Sequence, residues 1–250
     1  MNMMPHLLIS SNDVAEYALL PGDPKRAHLI AKFLDDSRLV SENREFVVYT
    51  GSYRGVRLTV ASTGIGGPSA AIAVEELAKC GTRVFIRVGT CGALKRGIGI
   101  GEIIVPYAAV RWDGTSARYV DKAYPAVAHP KVYQALIEAS RKLGVEVREG
   151  IILSDDAFYD DLEILLKWGE YNVIAVEMEA STIFTIASIK GFKAGAILVV
   201  DGNLAEGTGK GIVGASKGRE LREEVVKAIE REVRIALEAV RILSESESTR

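Results

Sequence analysis

Two arginines occupy positions in the sequence that suit the binding of a small anion. Arg87 lies inside the apolar run FIRVGTCGAL (85–94), which is typical of a buried strand that leads into a glycine-rich loop. A buried guanidinium without an anionic partner is strongly destabilising. Arg26 falls in the first turn of a helix that Asp23 and Pro24 are predicted to begin, and helix N-termini bind anions. Phosphate is the first candidate for that anion.

Two carboxylates lie close together in the stretch AVEMEAS (175–181). Glu177 and Glu179 would face the same way in an extended chain, and the apolar residues before them place both at the edge of the core. A carboxylate accepts two hydrogen bonds at once, which suits a vicinal diol such as that of ribose. Phosphate together with ribose suggests a nucleoside or a sugar phosphate as ligand. An alternative is a structural role, in which Arg87 pairs with Glu177 inside the core.

The elements that must position these residues are read from hydrophobic patterning. Short apolar runs rich in β-branched residues predict strands buried on both faces, over 56–63, 83–89, 101–106, 149–154, 172–179 and 194–202. Helical patterns are found over 68–81, 129–144, 178–191 and about 217–243. Strands that alternate with helices indicate an α/β fold with a largely parallel sheet, and ligands bind at the carboxyl ends of such strands.

Length and composition set limits on the class of protein. The 250 residues carry a net charge of −2 with 26% charged residues, which argues against a role centred on nucleic acid. The two cysteines, Cys80 and Cys91, make neither a disulfide framework nor a four-ligand zinc site. We find no signal-peptide pattern and no apolar run of membrane-spanning length, so we expect a cytoplasmic protein. Residues 1–250 are predicted to form one domain, with a disordered polar tail at 244–250.

A formal nucleotide-binding motif is rejected. Gly209, Gly211 and Gly214 match GxGxxG, but the segment leads to the last helix and no strand follows to complete a βαβ unit. The same stretch fails as a P-loop, because Gly211 stands where Ser or Thr should follow Lys210. A glycine-rich loop is the simpler interpretation.

The motifs PGDPKRA, STGIGGPSAAIAVEELA, RVGTCGAL, SDDAFY and VEMEAS together resemble those of the hexameric nucleoside phosphorylase family. The resemblance covers nearly the whole chain, and the stretches NREFVVYTG and VRWDGTSARY are most similar to uridine phosphorylases. It implies a mixed, mostly parallel twisted sheet flanked by helices, in a homohexamer built as a trimer of dimers. It also implies a pentosyltransferase that acts on a nucleoside and phosphate, with phosphate as co-substrate and no organic cofactor.

The resemblance also implies roles for individual residues. Phosphate would be bound by Gly22, Arg26, Arg87 and Thr90, with Arg44 reaching the phosphate of a neighbouring subunit. Ribose would be held by Met178 and Glu179, with Glu177 as a supporting carboxylate and His6 entering a neighbour's site to contact the 5′-hydroxyl. The base would contact Phe158 and Gly92. A monovalent cation such as K⁺ can sit between subunits in uridine phosphorylases, at positions matched here by Glu45, Ile65 and Ser69.

The base-reading positions depart from the family pattern. Purine enzymes of the family place an aspartate, which protonates the purine, where this chain has Gly202, with Asp201 one position earlier. Bacterial uridine enzymes have an arginine there, and they carry Gln and Arg where this chain offers Leu162 and Ile164. Arg87, Glu179 and Asp201 are the predicted catalytic residues, and Asp201 requires a loop shifted by one residue.

The predicted reaction is reversible phosphorolysis of a ribonucleoside to free base and ribose 1-phosphate. Uridine is the first choice of substrate, and a purine nucleoside or methylthioadenosine is the alternative. A hydrolytic nucleosidase would need no phosphate-binding arginines. A protein that binds or senses nucleosides without turnover is the alternative from another class.

Overall fold

The computed structural model describes residues 3–208 and 223–248. Its strands are β1 (Tyr17–Pro21), β2 (Asp35–Asn43), β3 (Phe46–Tyr53), β4 (Val56–Ala61), β5 (Val84–Ala93), β6 (Ile103–Trp112), β7 (Ala126–Val127), β8 (Arg148–Asp155), β9 (Val173–Glu177) and β10 (Lys193–Asn203). Its helices are α1 (Pro24–Ala31), α2 (Gly67–Cys80), α3 (Ser116–Tyr119), α4 (Pro130–Lys142), α5 (Leu162–Glu170), α6 (Ala180–Ile189) and α7 (Glu223–Ser248).

The strands form one mixed sheet, as expected for the predicted α/β fold. Its order is β10-β6-β8-β9-β5-β1-β4-β3-β2, and β7 adds to β6. Because β10 also pairs with β5, five of the strands close on themselves. Half of the strand pairings in the described part of the chain are parallel and half are antiparallel. The parallel share is lower than apolar patterning suggests, because the β2–β3–β4 meander is antiparallel.

Two hydrophobic clusters cover the two faces of the sheet. Alternate residues of β5 enter different clusters, with Phe85 in one and Ile86 in the other. The first cluster takes side chains from α2 and α6, and the second takes them from α1, α4 and α7. Burial on both faces explains why the central strands are continuous apolar runs.

The predicted helix boundaries near the site are confirmed. The Asp23 side chain caps α1 by accepting a hydrogen bond from the Lys25 N–H at 2.9 Å, and Pro24 is the first helical residue. Gly81, with φ of 121°, ends α2 in a conformation that other residues rarely adopt. No helix of the described ranges is both long and apolar enough to cross a membrane.

Two boundaries differ from the sequence prediction. The glycine-rich segment after Val88 is part of β5, which pairs with β10 as far as Ala93. The predicted disordered tail from residue 244 is wrong as far as Ser248, because α7 continues through it. Arg241 forms an ion pair with Glu245 one turn further along this helix. The GxGxxG segment at 209–214 lies outside the described residues.

Candidate functional site

Arg87 lies at the centre of a buried charge cluster. Its Nε donates to Oε2 of Glu177 at 2.6 Å, and its Nη2 forms an ion pair with Oε2 of Glu179. The third nitrogen, Nη1, has no hydrogen-bond partner in the described part of the chain. Burial alone would lower the pKa of Arg87, but Glu179 and Glu177 outweigh it and hold the pKa above its ordinary value. The guanidinium is therefore permanently charged, with one nitrogen available to a ligand.

Protein donors fully occupy the carboxylate of Glu177. Ser154 Oγ donates to its Oε1, and the Glu179 and Ala180 N–H groups donate at 2.9 to 3.0 Å. These contacts join the end of β9 to β8 and to the start of α6. Glu177 therefore contacts both the Arg87 side chain and the backbone of Glu179.

Glu179 is shared between Arg87 and the loop after β4. Its Oε1 accepts from the Gly66 N–H at 2.6 Å. Gly66 has φ of 87°, a conformation that favours glycine, and this allows its N–H to face the carboxylate. Burial raises the pKa of Glu179, and Arg87 opposes that effect. The predicted ribose carboxylate and the predicted phosphate arginine therefore lie in direct contact.

The loop after β1 lies next to the unpaired Nη1 of Arg87. A Cβ built on Gly22 would lie 3.8 Å from Arg87 Nη1, so a side chain at this position would reach toward the unpaired nitrogen. The Gly64 N–H donates to the Gly22 carbonyl at 3.0 Å and joins this loop to the loop after β4. Arg26 and Thr90 are both partly exposed, Arg26 in the first turn of α1 and Thr90 in β5. The structure thus places Gly22 beside Arg87, with Arg26 in the helix that follows Gly22 and Thr90 three residues after Arg87 in β5.

A further carboxylate, Glu232 of α7, was missed by sequence reasoning. It is fully buried, and the charges of Arg26 and Arg87 act on it. Burial raises its pKa to about 8, although Arg26, Arg87 and the Gly89 N–H each lower it. The signal was present in the sequence, because Glu232 interrupts the buried stripe of α7 between Ile229 and Ile235.

The predicted base residues lie on two different segments, Gly92 near the end of β5 and Phe158 in the loop after β8. Gly92 packs against Leu204, and a Cβ built on Gly92 would overlap with Leu204 Cδ1. Phe158 lies in the loop after β8, half exposed, with its ring 5.1 Å from that of Tyr159. Met178 is partly buried between Glu177 and Glu179. These positions leave the assignment of base contacts as a prediction.

Asp201 lies at a β-bulge. Val200 of β10 pairs with Cys91 and Gly202 pairs with Gly92, so Asp201 is an extra residue in the strand. Asp201 is partly exposed, and its charge helps to raise the pKa of the buried Cys91 thiol, after the larger effect of burial. A bulge re-aims the side chains around it.

The two residues predicted to act in a neighbouring subunit lie next to each other. Arg44 is exposed in the β2–β3 turn, with φ of 56°. The adjacent Asn43 donates from Nδ2 to the His6 carbonyl at 2.7 Å. His6 Nδ1 lies 2.6 Å from Oε1 of the buried Glu76, which anchors the N-terminal segment. The exposed Arg44 therefore lies beside His6, whose imidazole is held by Glu76 and is only partly exposed.

The predicted cation residues are partly assembled. Ser69 Oγ donates to Glu45 Oε1 at 2.8 Å, and this bond and backbone donors lower the pKa of Glu45. Ile65 is 78% exposed in the loop that joins β4 to α2. Carboxylate, hydroxyl and carbonyl oxygens suit a hard monovalent cation, so the residues fit the prediction.

Comparison with known proteins gives consistent results over almost the whole chain. Residues 16–241 match the model of the phosphorylase superfamily. A guanosine phosphorylase of Halorubrum lacusprofundi is 46% identical over 244 residues, which cover 97% of this chain and 100% of that protein. A uridine phosphorylase of Thermococcus kodakarensis is 42% identical over 264 residues, which cover 97% of this chain and 87% of that protein.

Solved structures of both kinds share the fold. The crystal structure of purine nucleoside phosphorylase from Toxoplasma gondii in complex with immucillin-H aligns with a TM-score of 0.90 and 32% identity, covering 98% of each chain. The crystal structure of uridine phosphorylase from Vibrio fischeri aligns with a TM-score of 0.87 and 32% identity, covering 96% of this chain and 98% of the other.

Proposed function

The chain belongs to the phosphorylase superfamily, and from this premise we propose that it catalyses phosphorolysis of a 6-oxopurine ribonucleoside such as guanosine. Its relatives are named as nucleoside phosphorylases, which are pentosyltransferases that use a nucleoside and phosphate. The general activity therefore follows from the family. The base, the role of each residue and the assembly are the proposed parts.

The reaction exchanges one bond at the anomeric carbon for another. A phosphate oxygen forms a bond to C1′ while the bond from C1′ to the base nitrogen breaks, and the base leaves with the electron pair. The sugar passes through an oxocarbenium-like state, as in other glycosyl transfers. No electrons are transferred to or from a carrier, so the step requires no redox cofactor. Positioning and electrostatics supply most of the rate enhancement.

The charge cluster supports the phosphate and ribose roles. Arg87 has a permanently charged guanidinium with Nη1 unpaired beside Gly22, and a phosphate oxygen would complete its hydrogen bonds. Glu179 would exchange one of its present contacts for the ribose hydroxyls. Since Arg87 and Glu179 form an ion pair, attacking phosphate and ribose would lie side by side.

The proposal of a purine base rests on the position of Asp201. Asp201 is the extra residue at the bulge in β10, where the strand pairs with Gly92. A carboxylate accepts two hydrogen bonds, and guanine presents two adjacent N–H donors on one edge, whereas uracil presents one. The carboxyl group could also share a proton with the departing purine. Leu162 and Ile164 offer no donor for the uracil carbonyls.

Uridine is the second candidate, because relatives from Thermococcus kodakarensis and Treponema pallidum are uridine phosphorylases at 42% and 35% identity. One assay separates the two bases. Phosphate-dependent release of base is measured with guanosine, inosine, adenosine, methylthioadenosine and uridine side by side. We expect the highest kcat/KM with guanosine or inosine, and a preference for uridine would reject the purine proposal.

The variant Asp201→Asn tests whether Asp201 itself is responsible for the preference for a purine base. It should lower kcat/KM for guanosine by about 10–100-fold, as expected for loss of a charged hydrogen-bond partner. Uridine cleavage by the same variant serves as the internal control and should change little. Release of base without phosphate would indicate a nucleosidase, and binding of nucleosides without any release would indicate a sensing protein.

A further inference from the structure

Glu232 is a fully buried carboxyl group on the last helix. It lies on α7, is 0% exposed, and neither of its oxygens has a hydrogen-bond partner in the part of the chain that the structure describes. Buried polar groups are nearly always paired, so a pair of unsatisfied oxygens in a core requires an explanation. A partner that is bound only during function would provide one.

The surroundings of Glu232 are those of the proposed phosphate site. The charges of Arg26 and Arg87 act on it. The N–H of Gly89, which lies between Arg87 and Thr90 in β5, is near enough to lower the pKa of Glu232 but does not reach hydrogen-bond geometry. Arg87 Nη1 is likewise buried and unpaired. Arg87 Nη1 and the Glu232 carboxyl group therefore share one region, and neither has a hydrogen-bond partner among the described residues. A small ligand with several oxygens would satisfy both.

The protonation state decides what Glu232 can offer to such a ligand. Burial raises its pKa to about 8, and Arg26, Arg87 and the Gly89 N–H do not reverse this. At neutral pH the side chain is therefore a neutral acid with an O–H donor. An ionised carboxylate would repel an anion, whereas the neutral acid can donate to it.

We propose that Glu232 is a phosphate-binding residue that donates its carboxylic O–H to a phosphate oxygen beside Arg26 and Arg87. This rests on the proposed function, because it takes inorganic phosphate as the ligand. Phosphate oxygens accept hydrogen bonds from all of these donors at once. Loss of the proton from Glu232 converts a donor into a repelling charge, so phosphate affinity falls as pH rises through its pKa.

Other charged groups do not account for such a dependence. The described charges that act on Glu232 are Arg26 of α1 and Arg87 of β5, and Arg87 is itself neutralised by Glu177 and Glu179. The other elements packed closely on α7, which are α4, β4 and β10, contribute apolar side chains to the same cluster. Cys91 of β5 is also coupled to Glu232, but burial holds the pKa of its thiol well above the ordinary value. Phosphate titrates near neutral pH, and that titration is common to every variant of the protein.

The test measures binding of inorganic phosphate by calorimetry between pH 6.5 and 9.5, for the wild-type protein, Glu232→Gln and Glu232→Ala. The Gln variant keeps a donor and cannot ionise. We expect wild-type affinity to fall about 30-fold more than that of Glu232→Gln between pH 7 and pH 9.5, as follows from ionisation near pH 8. Glu232→Ala should bind more weakly than wild type at pH 7. Glu238→Gln, a buried change on the same helix, should follow wild type.

Parallel profiles for wild type and Glu232→Gln would overturn the inference, and so would wild-type protein that binds no phosphate at pH 7. Thermal melting of each variant shows whether the fold is kept. The release of base from nucleosides is measured separately in the same samples. Phosphorolysis with parallel binding profiles rejects the role of Glu232 alone, whereas phosphate binding without release of base rejects the proposed function alone.

Discussion

Arg87 and Glu177 form a buried ion pair, in which Nε of the arginine lies 2.6 Å from Oε2 of the glutamate and the side chains are 5% and 1% exposed. The pair joins β5 to the end of β9, whose Val176 lies opposite Gly92. Two nitrogens of the guanidinium, Nε and Nη2, contact the carboxylates of Glu177 and Glu179, and Nη1 has no partner among the described residues. A structural role and a phosphate-binding role for Arg87 are therefore compatible, since different nitrogens serve each.

Replacing Arg87 should affect stability and phosphate binding together. In Arg87→Ala, Glu177 and Glu179 lose their buried cation, and breaking a buried pair in this way costs about 3–5 kcal/mol. Urea denaturation measures the free energy of unfolding. Arg38→Ala is the matched control, because Arg38 is 61% exposed and its 3.5 Å pair with Asp13 is worth less than about 1 kcal/mol. Equal destabilisation by both variants would contradict the prediction.

Arg87→Lys separates the two roles, because it keeps the charge and loses the planar fork. We expect a smaller loss of stability than in Arg87→Ala and a clearly raised KM for phosphate. An unchanged KM for phosphate in a folded Arg87→Lys variant would show that Arg87 serves the core alone.

Much of the site could be predicted from sequence because its signals are local. The buried arginine in an apolar run, the capped helix at Asp23 and the pair Glu177 and Glu179 each depend on neighbours along the chain. The structure confirms that these elements meet, since strand ends and loops bring Glu179 to Arg87 and Gly66.

What could not be predicted depends on contacts between distant segments. The extension of β5 through Ala93 requires its pairing with β10, which begins about a hundred residues later. The bulge at Asp201 arises from the same pairing of β10 with β5, and no residue pattern in the sequence predicts it. The position of Glu232 on the apolar stripe of α7 can be read from the sequence, but the residues that it meets there are known only once α7 is placed against β5. A local sequence pattern does not show which distant segment will bury a given side chain.

Nucleoside binding is predicted to require a residue without a side chain at position 92. Gly92→Ala would bring its Cβ into overlap with Leu204, at the end of β10, where the base is proposed to bind. We expect weaker nucleoside binding, with the KM for nucleoside raised and the KM for phosphate little changed. Leu204→Ala in the Gly92→Ala background removes the overlapping methyl group and should restore part of the affinity. Failure of that double variant to recover would place the defect elsewhere.

Sites shared between subunits predict complementation between inactive variants. Arg26 is proposed to serve the site of its own chain, whereas Arg44 is proposed to serve the site of a neighbour. Co-expressed Arg26→Ala and Arg44→Ala chains would form mixed oligomers in which some sites hold both arginines. We expect more activity from the mixture than from either variant alone, and light scattering should give a mass of six chains of 27.0 kDa.

The control pairs two changes within the same site. In the control, Arg26→Ala is co-expressed with Thr90→Ala. Mixed oligomers of these two variants would contain intact sites only if Arg26 and Thr90 of one site came from different subunits. Since both are proposed to act within one chain, each mixed site keeps one defect and no rescue is expected. Rescue in this control, or its absence in the Arg26 and Arg44 mixture, would contradict the shared site.

Glu232 should make the stability of the protein depend on pH in a defined direction. Its pKa is about 8 in the folded protein and near 4.5 in the unfolded chain, so the folded state holds one more proton between those values. Linkage then requires that the free energy of unfolding falls as pH rises through this window and levels above pH 8. Glu232→Gln cannot ionise and should lose less stability between pH 5 and pH 8, as measured by urea denaturation in phosphate-free buffer. A constant difference between the two proteins over that range would show that Glu232 does not titrate with the raised pKa, and Glu238→Gln controls for a general effect of removing a carboxylate from α7.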